Sequence, residues 1–160
     1  MFRLKSGEEI VATPPRLTPD VQPFFEEVLA KIDSQDRAIV QDTIDLRPAT
    51  GPAMSVETDE GDEIIFAQRA HHLRIGPSAL TRFVKNREPK RSSTIHVILE
   101  RRHFGKYFLK ATWWGIHAEP FPWDQNKTEQ SVAFWARHAL IWEPESFKII
   151  PGTETTQCPW

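Results

Sequence analysis

The stretch TIHVILERRHFGKYFLKATWW, residues 94–114, decides the fold because two alternating segments flank a glycine-containing turn. Successive side chains of a β-strand point to opposite faces, so alternation of apolar residues indicates a strand with one buried face. Both segments follow this pattern, with apolar residues at Ile95, Val97, Leu99, Tyr107, Leu109, Ala111 and Trp113. Gly105 can adopt the positive φ that a tight loop requires. The sequence therefore predicts an antiparallel hairpin with one apolar face.

The other face of this hairpin is predicted to be polar. Placing both apolar sets on one side requires His96 opposite Thr112, Ile98 opposite Lys110 and Arg102 opposite Lys106. A shift of one residue would bury the lysines. One sheet face would then gather His, Lys, Thr and Arg side chains. An ordinary solvated sheet face would have the same composition, and the sequence does not separate the two readings.

The rest of the chain predicts an α+β fold, a single domain over residues 1–160 with a mainly antiparallel twisted sheet and two or three helices. Helical spacing of apolar residues predicts one helix around Phe24–Ile32, with Thr18 and Pro19 as a possible start, and another at Thr128–His138 capped by Thr128. We expect Val132, Phe134 or Trp135, and Ala139 to point inward from this second helix.

Turn signals and short apolar runs predict further strands. The turn residues Asp59-Glu-Gly-Asp predict a hairpin that pairs Met54–Thr58 with Glu63–Gln68. Short strands are also expected at Phe2–Lys5, Ile10–Thr13, Thr81–Val84, Leu140–Trp142 and Phe147–Ile150.

Charge is segregated along the chain, although the net charge is only −2. Residues 1–66 contain 6 Lys/Arg against 14 Asp/Glu, a balance of −8, whereas residues 67–111 contain 11 against 2, a balance of +9. The acidic N-terminal part, 1–66, thus precedes a basic central part within 67–160. A basic block predicts a polyanion site, with RNA as the first candidate. The alternative is that the acidic block of the same chain neutralises it.

Composition limits the function classes. No apolar run reaches the roughly 18 residues of a membrane span, and the first residues contain no secretory h-region. The single Cys158 cannot form an internal disulfide, which fits a reducing cytoplasm. We therefore expect a cytoplasmic protein with no membrane partner. Neither the adjacent His71 and His72 nor any other pattern has metal-ligand spacing, so no metal and no cofactor are expected.

The basic block and its histidines suggest metal-independent RNA cleavage. That reaction needs a base for the 2′-hydroxyl proton, cations for the charge on phosphorus and an acid for the leaving oxygen. His titrates near neutrality, Lys or Arg stabilises phosphate charge, and Thr can orient a phosphate oxygen. The candidate catalytic residues are His138, His96, Lys85, Lys110 and Thr112. The candidate nucleic-acid-binding residues are Arg82, Arg87, Lys90, Arg91 and Arg102. His138 could equally be a helix C-cap or a core histidine.

Several stretches resemble a family of small bacterial proteins without an assigned activity. They are ETDEGDEI (57–64), RFVKNREP (82–89), AEPFPWD (118–124), FWARHALIW (134–142) and PGTETTQCPW (151–160). Arg82, Lys85 and His138 lie inside these stretches, whereas the chain departs from the family at His96 and Thr112. More remotely, a basic loop followed by a hairpin ending in Thr and an aromatic residue is similar to small RNases of the barnase–EndoU–colicin–RelE type. That resemblance implies a toxin domain with a site of His, Lys or Arg, and Ser or Thr.

The leading hypothesis from the sequence is a toxin-like endoribonuclease that acts on RNA without metal. The first alternative is a non-enzymatic interaction protein, such as an immunity, antitoxin or accessory factor, with an acidic or basic protein partner. The second alternative is a simple nucleic-acid-binding module, which would bind with steep salt dependence and no turnover.

Overall fold

A computed structural model describes residues 2–160 and shows an α+β fold with mainly antiparallel sheets, as predicted. The contacts within the chain group into two compact units. Unit 1 comprises the described part of Met1–Ala53 together with Arg91–His117, and unit 2 comprises Met54–Lys90 and Ala118–Trp160. The expectation of a single domain stays a prediction. Within residues 2–160, no helix has the length and apolar character needed to cross a membrane.

The regular elements are short and number eleven strands and two α-helices within residues 2–160. The strands are β1 (Phe2–Arg3), β2 (Glu9–Val11), β3 (Ile39–Asp45), β4 (Gly51–Ala53), β5 (Ser55–Glu57), β6 (Ile64–Gln68), β7 (Leu80–Val84), β8 (Lys90–Ser92), β9 (Thr94–Arg101), β10 (Tyr107–Trp114) and β11 (His138–Ile141). The helices are α1 (Gln22–Leu29) and α2 (Ser131–Arg137), with 3-10 turns at Ala70–Ile75 and His103–Gly105.

The five-stranded sheet of unit 1 has the order β1-β2-β10-β9-β3 and is antiparallel except for the parallel pair β2–β10. Helix α1 contributes Phe25, Val28 and Leu29 to its core. The helix begins at Gln22, later than the predicted start at Thr18, because the Thr18 carbonyl accepts the Val21 and Gln22 N–H groups in a preceding turn. The strands expected at Phe2–Lys5 and Ile10–Thr13 are present as the shorter β1 and β2, which pair antiparallel.

The hairpin at 94–114 is confirmed, but its register is only half as predicted. Leu109 lies opposite Leu99, in the predicted register, and a β-bulge at Lys110 then shifts the pairing by one residue. His96 is therefore opposite Trp113 rather than Thr112. Beyond the bulge, Thr112 and Trp114 are buried, whereas Ala111 and Trp113 are partly exposed, the reverse of the prediction.

Trp114 explains why the shifted register is stable. Its indole N–H donates to the Asp20 carbonyl at 3.0 Å, and its ring packs edge-on against Phe24 with centroids 5.2 Å apart. Gly51 leaves room for the indole, since a Cβ at this position would lie 2.1 Å from Trp114 Cε2. The bulge adds the one residue that turns this large apolar side chain into the core.

The four-stranded sheet of unit 2 has the order β5-β11-β7-β6, and it contradicts the predicted hairpin between Met54–Thr58 and Glu63–Gln68. The Asp59–Asp62 turn forms, with the Asp62 N–H donating to the Asp59 carbonyl, but β11 and β7 lie between the two strands. The core decides this order: Val56, Val84, Ala139 and Ile141 form one buried cluster, which requires β11 between β5 and β7.

The last part of the chain also differs from prediction. Helix α2 begins at Ser131 instead of Thr128 and ends at Arg137. His138 is its C-cap, one of the roles expected from the sequence, and is also the first residue of β11. Trp135 and Ala139 are buried as expected, but the Val132 side chain is 50% exposed. Residues 147–150 form no strand; Ile149 makes only an isolated bridge to Arg69.

The hairpin tip contains an unfavourable residue. Phe104 is 98% exposed and has φ 62° and ψ 26°, next to Gly105 with φ 72°. A side chain in the left-handed region costs about 1–2 kcal/mol, and Asn tolerates this region best among non-glycine residues. We expect Phe104→Asn to raise the free energy of unfolding by about 1 kcal/mol in urea denaturation. Ile116→Asn, at another exposed apolar side chain, is the control and should give no gain. A destabilised Phe104→Asn would contradict this explanation.

Candidate nucleic-acid interface

His96 and Thr112 do not converge on one substrate. His96 is only 2% exposed, its Nδ1 lies 2.8 Å from Thr43 Oγ1, and its ring contacts those of Trp113 and His117, with centroids 5.0 and 5.4 Å away. Thr112 points to the opposite face, where its hydroxyl donates to the His96 carbonyl at 2.9 Å. The predicted site on the hairpin face is therefore not assembled.

Burial changes the acid–base behaviour of His96. Loss of hydration, and secondarily the nearby His117, lowers the pKa of His96 to about 4. Its Nε2 is buried and has no hydrogen-bond partner in residues 2–160. The imidazole is thus neutral at pH 7 and shielded from solvent, which is the state of a core histidine.

The cations of the hairpin are paired within unit 1. Lys110 Nζ lies 3.1 Å from Glu100 Oε2, and Arg102 approaches the same carboxylate at 3.9 Å while its guanidinium lies over the Phe108 ring. The hydrogen bond from Lys110 lowers the pKa of Glu100, so the carboxylate is charged at neutral pH. Lys110 and Arg102 are consequently occupied by a partner of their own sheet.

Acidic residues of the N-terminal block pair with cations of the basic block inside each unit. In unit 1, Arg101 Nη1 lies 2.6 Å from Asp36 Oδ1, and Lys106 Nζ lies 3.4 Å from Glu9 Oε2. In unit 2, Arg87 Nε lies 3.5 Å from Asp62 Oδ1. The segregated charges of the sequence therefore partly neutralise each other in the fold.

Two further arginines of the predicted interface contact backbone carbonyls. Arg91 Nη2 donates to the Thr50 carbonyl at 2.7 Å. Arg82 is half-buried, and its Nη1 donates to Thr58 Oγ1 and to the His138 carbonyl, both at 3.0 Å. Burial lowers the pKa of Arg82 from its usual value, although an arginine remains charged. Arg82 thereby links the end of β5 to β11.

His138 has a defined tautomer. Its Nδ1 lies 2.9 Å from the Phe134 carbonyl, and its ring stacks on the Phe134 ring at 4.0 Å with an interplanar angle of 2°. A carbonyl can only accept, so Nδ1 bears a proton, and in the neutral imidazole the lone pair is on Nε2. His138 is half-buried, and its Nε2 can therefore accept a proton or a hydrogen bond.

Lys85 is the predicted cation best placed to meet an anion. Its side chain is exposed, it has no carboxylate partner among the described residues, and its Nζ lies 5.4 Å from the centroid of the Trp142 ring. The backbone N–H of Trp142 donates to the Val84 carbonyl, which places this residue beside the end of β7. Lys90 is exposed as well, with no ion pair in the described part of the chain.

These side chains define one surface, which we call the cation–aromatic face: Phe134, His138, Trp142 and Lys85. His138 and Leu140 alternate with the buried Ala139 and Ile141, so they share a side of β11. Trp142 directly follows the strand, and its position continues the same alternation. Arg82 lies with Val84 on the other side of β7. Of the predicted cations, Lys85 therefore shares a face with His138 and Arg82 does not.

Sequence analysis missed an aromatic cluster in unit 2. The Phe121 ring stacks between Trp123 and Trp135, with centroids 5.2 and 4.7 Å away, and the His72 ring lies 4.7 Å from Trp123. Burial lowers the pKa of His72 to about 4. The only sign of this cluster in the sequence is the pair of aromatic residues in Phe121-Pro-Trp. The other two rings, those of His72 and Trp135, come from distant segments.

Arg69 is a second feature that the sequence did not reveal. Its guanidinium lies 4.8 Å from the Phe147 ring centroid and 3.1 Å from His71 Nε2. Burial lowers the pKa of Arg69 to about 10. Arg69 therefore contacts both His71 and Phe147 within unit 2.

Within residues 2–160, no group of three His, Cys, Asp or Glu side chains has the arrangement of metal ligands. No family model, no curated protein and no solved structure matches the chain. The bacterial family and the small RNases that the sequence resembles stay predictions, and function is inferred from the residues and their geometry.

The buried His96 predicts a pH-dependent stability. Its pKa is about 4 in the folded chain and about 6.5 when unfolded, so the unfolded state alone binds a proton between these values, and stability falls as pH decreases through this window. In His96→Gln, the loss of unfolding free energy from pH 7 to pH 5 should be smaller by about 1–2 kcal/mol. Urea denaturation at both pH values measures this loss, with exposed His103→Gln as control. An unchanged pH dependence in His96→Gln would exclude this role.

Proposed function

We propose that the protein binds single-stranded RNA through the cation–aromatic face of unit 2. The observation that supports this most directly is the exposed Lys85 ammonium beside the Trp142 ring, without a carboxylate partner in the described residues. An indole can stack on a base while the adjacent ammonium contacts its phosphate. This combination is typical of proteins that bind single strands.

The second stacked pair, His138 on Phe134, extends the surface. His138 and Trp142 are four strand positions apart, about 13 Å along β11. Successive bases of a stacked strand are about 3.4 Å apart, so a short oligonucleotide spans both rings. Stacking on each aromatic ring contributes about 1–3 kcal/mol and does not depend strongly on the base. Binding through this face alone would be sequence-tolerant.

Binding is better supported by this geometry than cleavage. The neutral tautomer of His138 has its lone pair on Nε2, as a general base requires, but cleavage also needs a cation at the same phosphate. Lys85 is at the Trp142 end of the face, about 13 Å away along the strand, and Arg82 is on the other side of the sheet. The toxin-like endoribonuclease activity stays a prediction, with His138 as its base.

Substitutions on this face should weaken RNA binding in two separable ways. Trp142→Leu removes a stacking ring and should reduce the affinity for a fluorescein-labelled U12 oligonucleotide about tenfold in anisotropy titrations. Lys85→Gln removes one phosphate contact and should reduce the slope of log K against log salt by about 0.7.

Lys31→Gln, at a surface lysine that already pairs with Glu27, is the matched control and should bind as the wild type does. If Lys31→Gln and Lys85→Gln weaken binding equally, the lysines act only through net charge and the proposed face is wrong. Gel analysis of the RNA, with and without EDTA and with His138→Ala, tests cleavage in the same samples.

A protein-interaction function is the second candidate, and one observation favours it. Phe104 at the hairpin tip is 98% exposed in a backbone conformation that costs stability, so folding alone does not explain it. Affinity purification should then recover one stoichiometric protein with the wild type and not with Phe104→Asn. Equal recovery by both forms would remove the hairpin tip from consideration.

A further inference from the structure

Unit 2 contains a cleft of about 470 Å³ whose walls differ in character. Its lining residues are Ile75, Trp123, Asp124, Gln125 and Asn126. Ile75 is 51% exposed, so the cleft has an accessible apolar wall, while the other side presents a carboxylate and two amides. This volume is in the range of small-molecule sites, and the mixture of apolar and convergent polar groups is typical of them.

The apolar wall is held in place before any ligand binds. The Trp123 N–H donates to the Leu80 carbonyl at 3.1 Å, and Phe121 stacks on the indole with an interplanar angle of 11°. Trp135, itself buried, packs on the other side of Phe121. A planar ligand that contacts Trp123 would therefore meet an aromatic side chain that is already ordered. Little binding free energy would be lost in fixing this side chain.

The polar wall is also fixed, and two of its side chains are exposed. Asp124 Oδ1 accepts the Asn126 N–H at 2.8 Å, and the Lys127 N–H donates to the Asp124 carbonyl, which closes the loop. The Asn126 N–H uses Asp124 Oδ1 and not Oδ2, and the side chains of Gln125 and Asn126 are exposed. These groups can therefore bind a ligand that enters the cleft.

The carboxylate restricts which planar ligand fits. An ionised carboxylate only accepts hydrogen bonds, so it prefers an edge with two adjacent donors. Among the four RNA bases, only guanine has this arrangement, at N1–H and the N2 amino group. Adenine and cytosine place a ring acceptor next to their amino group, and the uracil N3–H lies between two carbonyls. A carboxylate facing any of these acceptors would be repelled and left partly unpaired.

We infer that this cleft binds a guanine base, with the ring against Trp123 and Ile75 and the N1–H and N2 amino group donating to Asp124. The amide N–H₂ of Gln125 or Asn126 donates to guanine O6. The inference rests on the proposed RNA binding, to which it adds a base preference that the cation–aromatic face does not supply. Trp123 contacts Leu80 at the start of β7, whereas Lys85 directly follows the last residue of β7. The cleft and the cation–aromatic face are therefore two separate binding sites on unit 2.

The test compares three labelled oligonucleotides, U12, U12 with one central guanine and U12 with one central adenine. Wild-type protein should bind the guanine oligonucleotide about tenfold more tightly than the adenine one. Asp124→Asn keeps the oxygen that accepts the Asn126 N–H, and therefore the loop, but places a donor where guanine also has donors. This variant should lose the guanine preference while its affinity for U12 stays the same.

Asp20→Asn, which removes an exposed carboxylate from unit 1, is the matched control and should keep the preference. Thermal unfolding monitored by circular dichroism tests whether Asp124→Asn is folded. The double variant Gln125→Ala/Asn126→Ala removes both amides that can reach guanine O6 and should also weaken the preference. If wild-type protein binds U12 but does not distinguish guanine from adenine, the inference is wrong and the proposed RNA binding stands. If it binds none of the three, the proposed function itself is wrong.

Discussion

One extra residue in strand β10, at Lys110, determines which side chains of unit 1 are buried. The bulge places Trp114 in the core, where Gly51 leaves room for it and Asp20 accepts its N–H. The same shift moves Thr112 inside and leaves His96 opposite Trp113 on the other face. A register without the bulge would have given the polar His-Lys-Thr face that RNA cleavage needs. Packing of one tryptophan thus removes the most obvious catalytic arrangement in the sequence.

The fold also pairs part of the charge that the sequence segregates. The carboxylates of Glu9, Asp36 and Asp62 meet cations of the basic block within their own units, and Glu100 meets two more. Exposed pairs of this kind contribute little to stability, but they reduce the positive potential available to a polyanion. Arg69, Arg82 and Arg91 have no carboxylate partner in the described chain but contact other groups of the fold. Lys85 is exposed, has no carboxylate partner among the described residues and lies beside the Trp142 ring, so it is the cation best placed to bind an external anion.

The fold class and the central hairpin could be predicted because strand alternation is a direct consequence of one-sided burial. The β-bulge could not be predicted, because nothing in the sequence around Lys110 marks it as an extra residue in the strand. The prediction that β5 and β6 form a hairpin was wrong, although the turn between them forms. Strand β5 pairs with β11 instead, and that pairing depends on a buried cluster from three distant segments. For the same reason the sequence named His138 and Lys85 only as single candidates, and their shared face and the cleft beside Trp123 required the tertiary structure.

Ion pairs together with hydrogen bonds to backbone carbonyls leave few cations of the basic block for RNA. The salt dependence of U12 binding tests this most directly, because each phosphate neutralised on a single strand contributes about −0.7 to the slope of log K against log salt. Contact by Lys85 and one or two neighbouring cations predicts a slope of about −1 to −2. A slope steeper than about −5 would mean that most of the basic block contacts RNA and would contradict the account.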